Sequence, residues 1–311
     1  MHESAEDPLW TAAPQLMGAN MTNPRPETPA FHPILNPGTE LRWPASGLWR
    51  DGEPDVRKIA IADVWDSLAR GVDDFRAMPT HVFFACIIYP VVGIVLARLL
   101  FGYELLPLIY PMAAGFALLG PFVAIGLYEL SRRRELGLDT SPARAFDVLK
   151  RPGIGAILRL GLVLAAIFVG WLYTANLIHT QLFGGEASSP EQFWNQLTTT
   201  ARGTQLIIVG NTVGFVFALV VLVTSVVSFP MLVDRDVSAA TAVRTSIRAA
   251  IENPGPVALW GLIVAIGLLL GAIPFLIGLA IVLPILGHAT WHLYRKLVEP
   301  EIQNASERAL R

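Results

Sequence analysis

Six long apolar stretches follow one another along the chain, and each has about the length of a single membrane crossing. A helix rises about 1.5 Å per residue, so roughly 20 apolar residues cross a hydrocarbon layer of about 30 Å. The stretches are residues 82–100, 105–127, 157–178, 206–229, 257–270 and 275–293. This pattern predicts an all-α fold, a polytopic transmembrane bundle with six crossings.

The last two stretches are separated by only a short break, and two arrangements fit them. Residues 257–293 contain no charged side chain, and their only break is Gly-Ala-Ile-Pro at 271–274. A single helix over this range would be about 55 Å long, nearly twice the hydrocarbon thickness. Two short crossings joined by a tight turn fit this length, and the alternative is one tilted helix followed by a re-entrant or interfacial piece.

The chain before these stretches has a different character. Residues 1–58 contain nine prolines and no apolar run, and Met1 is not followed by the basic and apolar regions of a signal peptide. We expect residues 1–58 to form a disordered cytoplasmic tail, residues 59–298 the membrane domain and residues 299–311 a second cytoplasmic tail.

Basic residues are distributed unevenly between the connections. Of the 23 lysines and arginines, all except Arg98 and Arg202 precede the first stretch, lie in or beside the second connection, lie in the fourth connection or follow the last stretch. Cytoplasmic loops carry the excess of lysine and arginine in membrane proteins. Both termini are therefore predicted to be cytoplasmic.

Composition agrees with a membrane protein and excludes several other classes. The chain is 53% hydrophobic and only 15% charged, with a mean hydropathy of +0.51, whereas soluble domains carry about 25% charged residues. The net charge of -2 leaves no basic excess for nucleic acid. A single cysteine, Cys86, excludes an intramolecular disulfide and cysteine-ligated clusters.

An amphipathic element precedes each pair of crossings, which indicates a threefold repeat of helix, proline and hairpin. The first begins at Asp63, has an apolar face of Val64, Trp65, Leu68, Val72 and Phe75, and ends before Pro79. The second begins with Ser141 as N-cap and Pro142, and the third begins with Ser238 as N-cap. These three elements are predicted to be interfacial helices.

The hairpins of the first and third units also align. Gly115 stands six residues before Pro121, as Gly278 stands six residues before Pro284. In this alignment Glu129 corresponds to His292. The middle unit keeps Pro230 but lacks the glycine. Such repeats often place a shared cavity on the pseudo-symmetry axis, but they are also a simple way to build a bundle.

A histidine pair lies near the end of the last predicted crossing. Helical spacing places His288 and His292 on one face, as two ligands of one metal ion require, and Glu129 lies near them if the first and third units pack together. Histidine is also ordinary at a membrane boundary, and no HExxH motif accompanies this pair. We expect no metal and no cofactor, with His288, His292 and Glu129 as ligands in the alternative.

Three arginines follow the second crossing. One interpretation of Arg132, Arg133 and Arg134 is that they are stop-transfer charges favoured by the helix dipole and paired with Glu129. The other is that they contact anionic lipid headgroups or an acidic partner. No Asp, Glu, Lys or Arg lies in the middle of any crossing, and no nucleophile elbow, P-loop or dinucleotide motif occurs. We therefore expect no enzymatic activity.

Three segments carry a resemblance to a known family. The inside helix ends in DDFRAMP at 73–79, the segment GFALLGPFVAIGLYELSRRRE covers 115–135, and NPGPVALWGLIV and LPILGHATWHLYRKLV close the chain at 253–264 and 283–298. Over residues 56–298 the chain resembles an uncharacterised proteobacterial integral-membrane family, a domain of unknown function. The resemblance implies a bacterial inner-membrane location, and the family has no established active residues.

Members of this family are sometimes labelled as cytochrome c oxidase subunit one. A haem-copper core requires six histidine ligands deep in its helices, whereas this chain has six histidines in all, and His2 and His32 lie in the tail. The leading functional hypothesis is therefore a scaffold, assembly factor or accessory subunit of a membrane complex, with membrane lipids and another membrane protein complex as partners. The alternatives are a carrier or channel for a small neutral or apolar solute, and a metal or haem protein.

Overall fold

The computed structural model describes residues 54–78, 106–184, 189–273 and 278–298, and the apolar stretches within these ranges are helical. Within these ranges there is no β-strand, and the only β-type pairing is an isolated bridge between Val56 and Val298. The expectation of a helical fold is confirmed for this part of the chain.

The described residues form eleven α-helices. They are α1 (Ile61–Ala77), α2 (Ile109–Phe116), α3 (Gly120–Val123), α4 (Ile125–Glu135), α5 (Ile154–Phe183), α6 (Pro190–Thr199), α7 (Ala201–Ser225), α8 (Ser228–Asp234), α9 (Ala239–Glu252), α10 (Pro254–Ala272) and α11 (Leu279–Leu297). Short 3-10 helices lie at Leu106–Leu108, Ala117–Leu119 and Pro142–Lys150.

Four helical runs are long and apolar enough to cross a membrane, judged by length and composition. In the described residues these are Ile109–Glu135, Ile154–Phe183, Ala201–Asp234 and Pro254–Ala272. They correspond to the second, third, fourth and fifth predicted crossings. The first predicted crossing, 82–100, lies outside the described residues.

The last two stretches form two separate helices. Gly271 of α10 faces Leu279 of α11, and Gly267 faces Val282 and Leu286, so the two helices pack as an antiparallel hairpin. One continuous helix over 257–293 is thereby excluded. α11 is not among the four apolar runs, because histidines and basic residues occupy its second half and charged side chains are costly in the bilayer. A sixth crossing at 275–293 stays a prediction.

Large apolar side chains cover the outside of the long helices. Leu162 and Tyr173 on α5 are 72% and 69% exposed, and Phe215 on α7 is 67% exposed. A soluble protein rarely exposes apolar surface of this extent, whereas a lipid-facing helix must do so. The fold thus presents a surface suited to hydrocarbon.

The three amphipathic elements are α1, the 3-10 helix Pro142–Lys150 and α9. Ser238 caps α9 as predicted, since its Oγ accepts the Thr241 N–H at 3.1 Å. Ser141 stands at the expected N-cap position, but its hydroxyl donates to Asp139 instead. The second element therefore lacks the side-chain cap, and it adopts the tighter 3-10 form.

The buried face of α1 differs from the predicted one. Val64, Ser67, Gly71 and Asp74 are buried, whereas Trp65 is 53% exposed. The interval pattern 3-4-3 of the buried positions is helical, but only Val64 among them is a large apolar residue. Small and polar side chains allow α1 to lie close to α11, with which it makes its most extensive contacts.

The segment before α1 runs alongside the end of α11. Arg57 N–H donates to the Leu297 carbonyl at 2.8 Å. The Asn253 side chain accepts the Ile59 N–H at 2.8 Å and donates to the Arg57 carbonyl at 3.1 Å. Residues that open and close the described chain are therefore joined, and α1 is held on α11 from its first turn.

Candidate functional site

α1, α4 and α11 converge around the carboxylate of Asp74, which is only 3% exposed. Gly71, one turn earlier on α1, permits this approach. A Cβ at Gly71 would lie 2.5 Å from the Ala289 Cβ and 2.7 Å from the Ile285 carbonyl oxygen. No residue larger than glycine fits between the two helices, and the close contact places Asp74 beside the histidines of α11.

Side chains from two helices, α4 and α11, hydrogen-bond the Asp74 carboxylate of α1. Ser131 Oγ donates to Oδ2 at 2.5 Å, His292 Nε2 lies 2.9 Å from the same oxygen, and Arg134 pairs with Oδ1. The His288 Nδ1 lies 2.8 Å from Ser131 Oγ. We call Asp74, Ser131, Arg134, His288 and His292 the Asp74 junction.

The surroundings of Asp74 favour its ionised form. Burial by itself raises the pKa of a carboxyl group, but the hydrogen bond and charge of His292 and the hydrogen bond from Ser131 outweigh burial and hold the pKa of Asp74 below its ordinary value. A buried carboxylate is tolerated when donors surround it, and removing one member of such a set leaves a costly uncompensated charge.

Glu129 belongs to a different cluster on the other side of α4. It is 1% exposed and binds Arg132 at 3.0 Å and Arg151 at 3.2 Å, with Arg133 at 3.7 Å. Glu129 and Ser131 are two residues apart, which separates them by about 200° around a helix. Glu129 therefore faces away from α11, and the structure does not bring it to His288 and His292.

The carboxylate that meets the histidine pair is Asp74, yet the geometry is that of a hydrogen-bonded junction. His292 Nε2 contacts Asp74 directly, whereas the Nδ1 of His288 lies 3.9 Å from Oδ2 and reaches it through Ser131. Within the described ranges, no group of three His, Cys, Asp or Glu side chains is arranged to hold a metal ion.

Arg132, Arg133 and Arg134 each have an acidic partner. Arg132 pairs with Glu129, Arg133 with Glu129 and with Asp147 at 3.5 Å, and Arg134 with Asp74. The side chains of Arg132 and Arg133 are 18% and 16% exposed, and that of Arg134 is 40% exposed. Only Arg134 of the three presents much of its side chain to the outside.

Further ion pairs extend this polar layer across α8, α4, α11 and α1. Arg295 binds Glu135 at 2.9 Å and Asp234 at 3.3 Å, and Tyr294 donates to Asp234 at 2.6 Å. Lys296 bridges two carboxylates of α1, those of Asp63 and Asp66, at 2.9 Å each. Each contact joins elements far apart in sequence, so the layer fixes how the helices meet.

The Asp74 junction contains serine, histidine and aspartate but is not arranged as a nucleophilic triad. In a triad the imidazole stands between the hydroxyl and the carboxylate, whereas here the Ser131 hydroxyl stands between His288 and Asp74. Ser131 and His288 are 1% and 0% exposed. Both side chains are therefore enclosed between the helices that they join.

No role for Asp74 was predicted from the sequence, although the residue pattern of α1 carries a signal. Asp74 follows Val64, Ser67 and Gly71 at helical spacing, which places a carboxylate on the narrow face of small residues that α1 buries. A charge at such a position needs a partner. The Asp74 carboxylate therefore required a cationic or hydrogen-bonding partner on another helix.

A comparison with known proteins supports the membrane assignment. Residues 109–234 match a family model described as "Predicted integral membrane protein (DUF2189)". The match lies inside the range over which the sequence resembles an uncharacterised membrane family, and it includes the GPFVAIGLYELSRRR segment at 120–134. The expectation of an uncharacterised membrane domain is confirmed. No curated protein and no solved structure matches the chain.

Proposed function

We propose that this integral membrane protein is a non-catalytic scaffold, assembly factor or accessory subunit of a bacterial inner-membrane complex. In this proposal the chain crosses the membrane six times, with both termini in the cytoplasm. The observation that carries the proposal is the Asp74 junction, in which the buried ionisable groups bind one another across three helices.

The junction favours a structural role because its polar groups hydrogen-bond and pair with other groups of the same protein. The Asp74 carboxylate is surrounded by Ser131, His292 and Arg134, and His288 hydrogen-bonds Ser131 and the Leu127 backbone. A catalytic acid, base or nucleophile must reach the reacting atoms. Groups that hydrogen-bond one another across helices stabilise one arrangement of those helices, and a scaffold needs a fixed arrangement.

Exposed apolar side chains on the amphipathic elements offer the binding surface. Trp65 on α1 is 53% exposed, Leu149 on the 3-10 helix 55%, and Ile251 on α9 64%. Exposed aromatic side chains are frequent anchors at protein interfaces. The elements are held to the bundle, so a partner that binds Trp65 is positioned rigidly relative to the crossings. Membrane lipids fill the remaining apolar surface, and Arg134 contributes a positive charge toward lipid headgroups or an acidic partner.

The test is co-purification in a mild detergent, with proteins and lipids quantified by mass spectrometry. We expect a membrane protein to accompany the wild-type chain in near-stoichiometric amount and to be lost from Trp65→Ala. The matched control is Trp194→Ala, which changes a tryptophan of similar exposure on α6. A wild-type chain that carries lipids alone, or a partner lost equally from both variants, contradicts the proposal.

The second candidate function is a carrier or channel for a small neutral or apolar solute. It is favoured by the interrupted run Ile109–Glu135, in which α2, α3 and α4 are separated by a 3-10 turn and by Ala124. Broken membrane helices often line transport pathways. Proteoliposomes tested for glycerol and urea entry by light scattering distinguish the two functions, because a scaffold leaves the permeability of the vesicles unchanged.

A further inference from the structure

A cavity of about 310 Å³ lies between α2, α5, α6 and α7, and it is separate from the Asp74 junction. Its walls are mostly apolar and aromatic and include Tyr110, Trp171 and Phe193. The polar residues that line it in the described chain are His179 and Asn211, and none of those lining residues is charged. Ligand pockets commonly combine apolar walls with a few placed polar groups.

His179 is the feature that points to a ligand. Its side chain is 6% exposed and packs against the rings of Phe183 and Phe193, with ring centroids 5.4 Å and 6.1 Å away. Its imidazole makes no hydrogen bond with any residue that the structure describes. Buried polar side chains in proteins are nearly always hydrogen-bonded, so a group that enters the cavity has a hydrogen-bonding site ready for it.

The other polar groups at the cavity are fixed by the protein itself. Tyr110 Oη donates to Asn211 Oδ1 at 2.7 Å, Asn211 Nδ2 donates to the Ile207 carbonyl at 2.8 Å, and Trp171 Nε1 donates to the Pro111 carbonyl at 2.7 Å. These bonds orient the aromatic walls. His179 therefore remains the principal polar group with which a bound molecule can pair.

The route into the cavity passes through apolar surface. Tyr110 is 63% exposed and Ile207 is 45% exposed, and both line the cavity. Both residues lie in helical runs that are long and apolar enough to cross a membrane. A molecule reaches the cavity most directly from the bilayer, where it must be neutral and lipid-soluble. Aromatic walls favour a ring, because rings pack against each other in offset or edge-to-face arrangements.

We propose that this cavity binds a neutral, lipid-soluble molecule with one aromatic or quinonoid ring, whose oxygen hydrogen-bonds the His179 imidazole. The volume lies at the lower end of the range for small-molecule pockets, about 300–1,000 Å³, and suits a single substituted ring. The proposal does not rest on the scaffold role, because a bound ring is compatible with a scaffold and with a carrier.

Binding is tested with para-propylphenol and propylbenzene, which differ only in the hydroxyl group. The full chain in phosphatidylcholine nanodiscs is titrated by calorimetry, and partitioning into empty nanodiscs is subtracted. We expect saturable binding of the phenol at one site, with propylbenzene about tenfold weaker. Loss of one buried hydrogen bond accounts for a difference of this order.

Two variants address the site independently. His179→Phe keeps an aromatic ring and removes the hydrogen-bonding nitrogens, so the phenol should bind about tenfold more weakly and lose its advantage over propylbenzene. Gly210→Leu fills the cavity, because Gly210 lines it and a Cβ there meets no heavy atom within 4 Å. Neither ligand should bind this variant.

The control for the filling variant is Gly155→Leu on α5, where a Cβ also meets no heavy atom within 4 Å but which lies outside the cavity. This variant should bind as the wild type does. Equal binding of the two ligands by the wild type, binding unchanged by Gly210→Leu, or absence of saturable binding overturns the proposal. None of these outcomes bears on partner co-purification, so the two proposals fail separately.

Discussion

Asp74 and His179 are both buried ionisable side chains, but their surroundings differ. Asp74 meets donors from α4 and α11, whereas His179 packs against two phenylalanine rings and hydrogen-bonds no described residue. Arg151, which joins the Glu129 cluster, precedes α5, and His179 lies near the other end of the same helix. At the start of α5, buried charged groups pair with one another and hold helices together. Near its other end, the His179 imidazole lies in an apolar cavity.

The largest expected effect comes from removing the carboxylate of Asp74. Asp74→Ala leaves Arg134 and His292 without their buried partner, and it should lower the free energy of unfolding by about 3–5 kcal/mol. The measurement is unfolding by SDS in mixed micelles. Asp73→Ala is the control, because the Asp73 side chain is 64% exposed and its ion pair with Arg76 is long, at 3.8 Å. This substitution should cost less than about 0.5 kcal/mol. Similar losses in both variants would contradict the assigned role of the junction.

The next effect concerns the close approach of α1 to α11. Gly71→Ala places a Cβ against Ala289 and the Ile285 carbonyl, and such overpacking costs about 1–3 kcal/mol. In Gly155→Ala the new methyl group meets no atom within 4 Å, and alanine is the better helix former. That variant should unfold at the wild-type SDS concentration or slightly above it, and a loss equal to that of Gly71→Ala would argue against the contact.

A smaller effect appears in the acid limb of stability. Because the pKa of Asp74 is held below its ordinary value of 3.8 by His292 and Ser131 against the opposing effect of burial, its ionised form stabilises the folded state above that pH, and this contribution is lost as the pH falls through the depressed pKa. The stability advantage of the wild type over Asp74→Asn should shrink as the pH falls below about 4. Thermal unfolding followed by tryptophan fluorescence measures the stability of both proteins. A stability difference that grows as the pH falls would contradict the prediction.

The smallest expected effect is at His179. His179→Phe removes a buried imidazole without a described hydrogen-bond partner, so it should leave the free energy of unfolding unchanged or raise it by up to about 1 kcal/mol. His288→Phe, by contrast, removes the partner of Ser131 and should lower it by about 1–3 kcal/mol. Both variants are measured in ligand-free nanodiscs or micelles. Equal losses would mean that the two histidines are held in the same way.

The apolar runs, the helical spacing of apolar residues and the cap and break residues predicted most of the described helices. Residues 157–178 and 206–229 fall within Ile154–Phe183 and Ala201–Asp234, and the break predicted at 271–274 coincides with the end of α10 at Ala272. These features are local, because the length of an apolar run and a glycine followed three residues later by a proline are both read within a short segment. Ser238 succeeded as a cap for the same reason.

The site was predicted in part. Helical spacing correctly placed His288 and His292 on one side of α11, where both approach Asp74. Their carboxylate partner depends on which helix lies across α11, and that choice is decided by the Gly71–Ala289 contact between residues more than 200 positions apart. The repeat alignment treated the first and third units as equivalent, whereas α4 turns Glu129 toward Arg151 and Ser131 toward α11. Such a rotation is a property of packing and has no local signature.

The contact between Asp74 and His292 also sets a time order for biosynthesis. The two residues are separated by 218 positions, and a ribosome that adds about 5–20 residues per second needs roughly 10–40 s to travel from one to the other. During that interval α1 and α4 have been made, so Ser131 and Arg134 are present, but α11 has not. Gly71 and the His292 side of the Asp74 carboxylate therefore stay uncovered until α11 has been synthesised.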